Sequence, residues 1–234
     1  MKHTIILLAI CAMLVGCSVD GGTPITKSFN TTGSYTAIDV SNAFSVSVSD
    51  QATDVQVTVG EKVMGKLKVE VKDGTLHIGF NKSPLFYIGT AQAVIPAGIA
   101  LHEVNLSGAS EFVGNLSGDE VEIELSGASK YNGNVDANTV DIDLSGASEA
   151  TVRSTCQTTL SLDLSGASNL YAFKLTANDV TGQLSGASNA EVTCCNSLRA
   201  DLSGASSITY DTPNATCTPT VNCTASGSST VSAR

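Results

Sequence analysis

The block Leu-Ser-Gly-Ala-Ser occurs six times in the chain at nearly constant spacing. The blocks begin at Leu106, Leu125, Leu144, Leu164, Leu184 and Leu202. The intervals between these leucines are 19, 19, 20, 20 and 18 residues. A fixed period of about 20 residues is typical of a solenoid, in which each repeat packs only against its neighbours. The repeat therefore favours a rod of stacked turns over a globular core.

The residues before each block alternate between apolar and polar side chains. In the second repeat, Val121, Ile123 and Leu125 are apolar, and Glu122 and Glu124 lie between them. A period of two predicts a strand with one buried face. No half of a repeat carries a helical stripe long enough for a crossover helix, which argues against a leucine-rich-repeat horseshoe and a βαβ array.

The Ser-Gly-Ala-Ser segment that follows each strand predicts a corner. Glycine adopts positive φ at little cost, and small neighbours keep the corner thin enough to stack. Short alternating second strands follow, for example at Ala150 and Val152. We therefore predict an all-β fold, a right-handed parallel β-helix (β-solenoid) of about 20 residues per turn, with layers ~4.8 Å apart.

The corner serines have two interpretations. Hydroxyl columns along the rod could bind a sugar chain, or the hydroxyls could satisfy each other and water. Because repetition alone is what a stackable corner requires, the structural interpretation is favoured.

The start of the chain predicts export and a lipid anchor. Lys2 precedes an apolar run over residues 5–12, and Leu14-Val-Gly-Cys follows. A charged beginning, a short apolar core and small residues before a cysteine are typical of a lipoprotein signal peptide, and the run is shorter than the ~20 residues of a membrane span. We predict cleavage before Cys17, acylation of Cys17, and attachment to the outer membrane on either its periplasmic or its surface side.

Four segments follow from these patterns. They are a signal peptide (1–16), an anchor and tether (17–34), an irregular β-rich N-terminal part (35–100) and the regular repeats (101–234). In the irregular part, Asp73-Gly74 is a hairpin signal, and Glu61 to Gly65 is a candidate helical turn. This part is either a separate small sandwich or the first part of the coil. The second is favoured because solenoid ends need atypical caps.

The charge of the chain argues against anionic polymers as partners. The formal net charge is -10, and residues 101–234 hold fifteen acids and five bases. Nucleic acid and anionic lipid headgroups are poor partners for such a surface, and we predict no nucleic-acid binding.

Several motifs carry a resemblance to a known family. Ser-Gly-Ala blocks follow Asp-Leu or Glu-Leu strands, and an Ile38-Asp-Val-Ser-Asn-Ala-Phe-Ser-Val segment precedes them. A Val71-Lys-Asp-Gly-Thr-Leu hairpin and a Tyr210-Asp-Thr-Pro ending complete the pattern. The chain resembles the head GIN domain of autotransporter adhesins, found mainly as lipoproteins in Bacteroidetes. The resemblance implies a β-helical fold, an envelope location and no established catalytic residues.

Outward carboxylates form the most prominent charged feature of the repeats. They are Glu122, Glu124, Asp141, Asp143 and Asp163. In-register stacking places like charges ~5 Å apart, which is unfavourable unless water or cations screen them. A weak cation-binding face is one interpretation, because hard cations prefer carboxylate oxygens. A solvated face that keeps the rod soluble is favoured, since no compact loop has calcium-ligand spacing. We predict no metal site and no cofactor.

The acidic face also raises the question of an enzyme. Parallel β-helices host polysaccharide lyases and hydrolases, and glycosidases need two carboxylates beside a substrate groove. The bases of the repeats are scattered, and no nucleophile, phosphate-binding or zinc motif is present. We predict a non-catalytic surface-interaction module or adhesin with a glycan or protein ligand. The alternatives are an envelope scaffold and, less favoured, a carbohydrate-active enzyme.

Five cysteines remain once Cys11 and Cys17 are set aside. Cys156 and Cys194 each lie eight residues before a repeat leucine, but they are two turns apart, with Thr176 in the turn between them. Stacking would hold their Cα atoms ~9–10 Å apart, which exceeds the ~7 Å limit for a disulfide. Cys223 takes the next repeat-leucine position, which places Cys217 one layer from Cys195. We therefore predict that Cys217 bonds Cys195 or its neighbour Cys194, and that Cys156 stays free.

Overall fold

A computed structural model describes residues 19–31, 34–81, 87–154 and 158–234. The predicted signal peptide, Cys17 and Cys156 lie outside these ranges. The chain is a β-solenoid of about six turns with roughly 20 residues per turn. The predicted all-β solenoid is therefore confirmed.

Twenty-two strands make up most of the described residues. Those before the repeats are β1 (Val19–Asp20), β2 (Pro24–Phe29), β3 (Ala37–Val40), β4 (Ser45–Ser49), β5 (Val55–Gly60), β6 (Leu67–Lys72), β7 (Thr75–Phe80), β8 (Tyr87–Ile88) and β9 (Ala91–Pro96). The rest are β10 (Glu103–Leu106), β11 (Glu111–Val113), β12 (Leu116–Ser117), β13 (Glu120–Leu125), β14 (Lys130–Asp136), β15 (Thr139–Leu144), β16 (Glu149–Arg153), β17 (Thr158–Leu164), β18 (Asn169–Leu184), β19 (Asn189–Leu202), β20 (Ser207–Asp211), β21 (Thr220–Ala225) and β22 (Thr230–Ala233).

Parallel pairing between successive turns builds two ladders that run along the coil. The first ladder contains, in spatial order, β7, β3, β10, β13, β15, β17, residues 179–184 of β18, residues 197–202 of β19, and β21. The second contains β9, β4, β11, β14, β16, the first halves of β18 and β19, β20 and β22. The register brings the repeat leucines into one stacked column.

The inward side chains of both ladders form one core along the coil. In β15, Val140, Ile142 and Leu144 are buried, as the alternation predicts. Full burial of a branched aliphatic side chain contributes about 1.5–3 kcal/mol, and the contribution recurs in every layer. The stability of the coil therefore accumulates along its length rather than in one centre.

The irregular N-terminal part belongs to the same sheet and core as the repeats. Strand β3 lies between β7 and β10, so the chain forms an inner layer first, then the outermost layer, and then returns to the repeats. Antiparallel β6 covers the free side of β7, and antiparallel β5 covers that of β9. These strands close the N-terminal end of the coil, which protects the backbone groups of its edge.

Two local predictions in this part correspond to observed turns. Asp73 and Gly74 both have positive φ and join the antiparallel strands β6 and β7. A hairpin turn of this kind needs positive φ at both central residues. The helical signal at 61–65 corresponds to a short 3-10 helix, Met64–Lys66.

The corners require glycine for two reasons, the positive φ of the backbone and the close approach of the neighbouring layer. Gly166 has φ +71°, and a Cβ built on it would lie 2.4 Å from the carbonyl oxygen of Gly146 in the layer below. The same Gly146 oxygen accepts a hydrogen bond from the backbone N–H of Ala167 at 2.7 Å. A side chain at this position would therefore break the stacking of the corners.

The corner serines serve the backbone. The last serine of each block is buried, as in Ser168, which is 0% exposed. Its Oγ lies 3.0 Å from the carbonyl oxygen of Ser165 and 3.3 Å from that of Leu144. These hydroxyls fill inward positions and satisfy buried carbonyl groups. They are not a sugar-binding column, because they do not reach the surface.

Two register assignments made from the sequence are wrong. Ala225, not Cys223, stacks on the repeat leucine Leu202, and Cys223 stacks on Ala200. The segment between β20 and β21 is longer than in other turns, and the predicted register, which gives Cys223 the leucine position, is two residues early. Similarly, Cys194 pairs with Ala177 rather than Thr176, because register shifts on both sides of Ala177 absorb extra residues.

One disulfide fastens the long segment between β20 and β21 to the coil. Cys195 bonds Cys217 with Cα atoms 4.7 Å apart, so Cys217 uses one of its two expected partners. Cys194 and Cys223 carry free thiols, and Cys194 is buried. The incorrect position of Cys223 did not change this pairing, because Cys195 and Cys217 still lie in adjacent turns.

Candidate binding face

The outward side chains of the first ladder form two columns along the coil. Column A consists of Glu103, Glu122, Asp141, Ser161, Thr181, Arg199 and Asn222. Column B consists of Asn105, Glu124, Asp143, Asp163, Gln183, Asp201 and Thr224. Strand alternation explains this placement, because residues two apart point to the same side of the sheet.

A trough, which we call the axial groove, lies between columns A and B. Its floor is the backbone of the inward residues, including Leu162, Gly182 and Ala200. The groove holds a cavity of about 200 Å³ between the carboxylates and a larger one of about 430 Å³ nearer the C-terminal end. We call these two parts the acidic half and the polar half.

The structure brings the five predicted carboxylates together. Glu122, Glu124, Asp141, Asp143 and Asp163 all line the cavity of the acidic half. They are nevertheless spread along the ladder, and across the described ranges no group of three or more His, Cys, Asp or Glu side chains is arranged to hold a metal ion. The acidic half is therefore a row of outward carboxylates from successive layers.

The carboxylates of the acidic half repel one another. Partial burial raises the pKa of Glu122, and the carboxylates of Glu124, Glu103, Asp141 and Glu120 raise it further. Partial burial and then the carboxylate of Asp163 raise the pKa of Asp143. Among the described residues, none of the ion pairs involves a carboxylate of this half. The surface is therefore unfavourable for a polyanion.

The polar half carries residues that the sequence did not single out. Thr181, Gln183 and Asn222 are exposed beside Arg199 and Asp201. The guanidinium of Arg199 donates to the Ser197 hydroxyl at 2.9 Å, and the hydroxyl of Thr224 donates to Asp201. The available signal was Gly182, which interrupts an inward column that otherwise holds Ile142 and Leu162 in the preceding layers.

A second trough runs between column B and the corners. It holds cavities of about 260 Å³ and 290 Å³, lined in part by Ser126 and Ser203. These are the first serines of their blocks, and they line the surface that the buried serines do not reach. At the capped end, the Nδ1 atom of His77 lies 2.9 Å from Asp39 Oδ2, which continues column B. His77 lies in the outermost layer.

The second ladder presents a different outer surface. Lys130 lies 3.8 Å from Glu149, and Arg153 donates to Asn132 at 2.7 Å. Asn189 donates to Asn169 at 3.1 Å in a further contact between layers. Opposite charges and amides thus pair with each other here, whereas column A and column B leave most of their polar groups free for a partner.

The sequence of this coil matches a family model over residues 34–212, more than half of the chain. The description of that family is "Putative auto-transporter adhesin, head GIN domain". The chain belongs to this family. Head GIN membership supports an adhesin-like role and a cell-surface or envelope location.

Solved structures share the head GIN fold. A putative adhesin from Bacteroides fragilis has a TM-score of 0.78 at 20% identity, covering 92% of this chain and 100% of that one. A putative lipid binding protein from Parabacteroides distasonis has a TM-score of 0.65 at 20% identity, covering 93% and 99%. A putative adhesin from the same species has a TM-score of 0.61 at 23% identity, covering 93% and 100%. At these identities the likeness shows the fold.

Two further findings concern this head GIN chain. No curated protein is significantly similar to it in sequence. In the ranges that the structure describes, no helix has the length and apolar character needed to cross a membrane.

Proposed function

We propose that this protein is a lipid-anchored, non-catalytic adhesin of the outer membrane, and that the axial groove is its binding surface. The observation that carries the proposal is the pair of cavities that lie between columns A and B on the outside of the coil, with Ser161 lining both. Such a surface offers many similar contacts along one line, which suits adhesion to an extended ligand. The head GIN family supports the same role.

The chemistry of the groove favours binding over catalysis. Its acidic half offers like-charged carboxylates in a repeating row, with no base among the described side chains that line it. A glycosidase needs two carboxylates in different environments, so that one is protonated and the other ionised. Here the carboxylates lie in similar positions, since all of them point outward from successive layers of one ladder.

The lipid anchor would hold the coil by its capped end. Val19 begins β1, two residues after Cys17, and β1 pairs with β8. Lys62 lies 2.7 Å from Asp20, and β2 pairs with β5 at the same end. An acylated Cys17 therefore leaves the C-terminal layers, and with them the polar half of the groove, farthest from the membrane.

Adhesion of whole cells tests this function. Cells that express the full-length chain should attach to epithelial monolayers more strongly than isogenic cells without it. Equal attachment would contradict the adhesin function. If equal attachment is accompanied by increased leakage of periplasmic enzymes when the gene is deleted, the chain is an envelope scaffold instead.

A further inference from the structure

The polar half of the axial groove holds a larger cavity than the acidic half, and small residues lie on its floor. The inward column holds Ile142 and Leu162 in two layers and then Gly182 and Ala200 in the next two. A Cβ on Gly182 would lie 3.3 Å from Leu184 Cδ1 and 3.4 Å from Leu162 Cβ. A side chain on Gly182 would therefore point into the core, and Gly182 itself is partly exposed on the groove floor.

The walls of the polar half carry neutral groups that donate and accept hydrogen bonds. Thr181 and Asn222 belong to column A, and Gln183 faces them from column B. Within the described chain, the side chains of these three residues make no hydrogen bond with one another or with other groups. Hydroxyl and amide groups of this kind complement sugar hydroxyls, each of which also donates and accepts.

A cation and an anion complete the walls. Arg199 of column A uses one N–H group on Ser197 and keeps further donors that face the cavity. Asp201 of column B supplies carboxylate oxygens on the opposite wall. A guanidinium opposite a carboxylate binds a neutral polyol from two sides without favouring a charged ligand.

We propose that the polar half binds a neutral glycan chain that lies along the coil axis. This inference rests on the proposed adhesin function and specifies its ligand. The cavity of about 430 Å³ falls within the usual ~300–1,000 Å³ of small-ligand sites. A chain along the axis meets a new pair of wall residues every ~4.8 Å, a spacing comparable with the length of one sugar unit.

The acidic half restricts the charge of that glycan. A chain that extends from the polar half toward the capped end passes Asp163, Asp143 and Glu124 in turn. Uronic-acid, sialylated or sulfated glycans would be repelled there. Among glycan chains long enough to extend beyond the polar half, the groove therefore selects neutral ones.

A glycan array with the full-length chain in detergent micelles tests the inference. The array carries neutral, sialylated, sulfated and uronic-acid oligosaccharides, and we expect capture by neutral ones. The Kd of the best neutral oligosaccharide is then measured for the double variant Gln183→Ala, Asn222→Ala. Loss of two hydrogen-bonding groups should weaken binding by about tenfold or more. The matched control is Gln92→Ala, Asn189→Ala on the second ladder, where binding should not change.

Three results would overturn the inference. They are capture of anionic glycans alone, equal weakening in the double variant and its control, and an array with no binding. If cells still adhere while the array shows no binding, the glycan inference fails and the adhesin function stands. If glycans bind in the groove but cells do not adhere, the adhesin function fails instead.

Discussion

At the scale of single residues, the corner glycines show how stacking limits the sequence. Gly74 and Gly166 both have positive φ, but nothing lies within 4 Å of a Cβ built on Gly74. Strain alone should therefore cost Gly74→Ala about 1–2 kcal/mol. In Gly166→Ala, the new Cβ would also lie 2.4 Å from the carbonyl oxygen of Gly146, which can move only if its whole layer moves. The loss in free energy of unfolding should therefore be clearly larger. Urea unfolding of both variants measures the difference, and equal losses would show that the stacked corner adds no restriction.

The carboxylates of column A and column B predict how stability depends on pH. Burial and neighbouring acids raise the folded-state pKa of Glu122 and Asp143, so the folded protein binds protons more readily than the unfolded chain. Stability should then rise as pH falls through the raised pKa values toward the ordinary values of 4.5 and 3.8. The effect should be small because solvent screens these exposed groups.

Charge removal tests this dependence. The variant Glu122→Gln, Asp143→Asn should melt slightly above the wild type at pH 7, and the difference should shrink at pH 4 and in high salt. The control is Glu191→Gln, whose ladder neighbours Tyr171 and Thr209 are uncharged. A double variant that melts below the wild type at pH 7 would mean that the acidic half is stabilised by a bound partner or ion.

At the scale of elements, the disulfide joins a strand to an irregular segment. Cys217 lies between β20 and β21, and Cys195 lies in β19, with 22 residues separating them. A disulfide across a loop of this size contributes about 3 kcal/mol, largely by restricting the unfolded chain. Cys217→Ser should lower the free energy of unfolding by that amount. Peptide mapping without reduction should give the Cys195–Cys217 pair, and a Cys156–Cys194 pair would contradict the layer assignment.

How far the sequence predicts each element depends on whether the repeat is present. In β13, β15 and β17, the period of two identifies both the strands and their buried faces. Before β10 there is no repeat, so the insertion of β3 between β7 and β10 has no local signal. After β20 the turn is longer, and Ala225 rather than Cys223 continues the leucine column. The predicted register fails where turn length changes, because the repeat spacing no longer fixes which residue stacks on the leucine column.

Only the acidic half of the candidate site could be predicted from the sequence. Charges such as Glu124 and Asp143 stand out in a sequence, and alternation places them outward. The polar half depends on which outward side chains of adjacent layers lie beside one another, and this requires the register of the whole ladder. Neutral residues such as Gln183 and Asn222 carry no comparable signal by themselves.

At the scale of the whole molecule, the two ends of the coil differ. Antiparallel strands cover the N-terminal end, and a polar layer of β21 and β22 forms the other. Val19, the first residue that the structure describes, lies at the covered end, two positions after the predicted anchor. Cys17→Ser should abolish metabolic labelling with a fatty acid and move the protein from the membrane fraction to the soluble fraction. Unchanged fractionation, together with no acyl group on the native protein, would refute the anchor.

The proposed adhesion depends on the axial groove. Thr181 lies in the groove, and Thr151 occupies an outward position on the second ladder. Tryptophan suits a strand surface, so Thr181→Trp and Thr151→Trp should both fold, but only the first fills the groove. The measurement is attachment of cells that express each full-length variant at equal surface levels to epithelial monolayers. We predict that Thr181→Trp abolishes most attachment and that Thr151→Trp leaves it unchanged, whereas equal attachment by both variants, or a loss confined to Thr151→Trp, would contradict the claim.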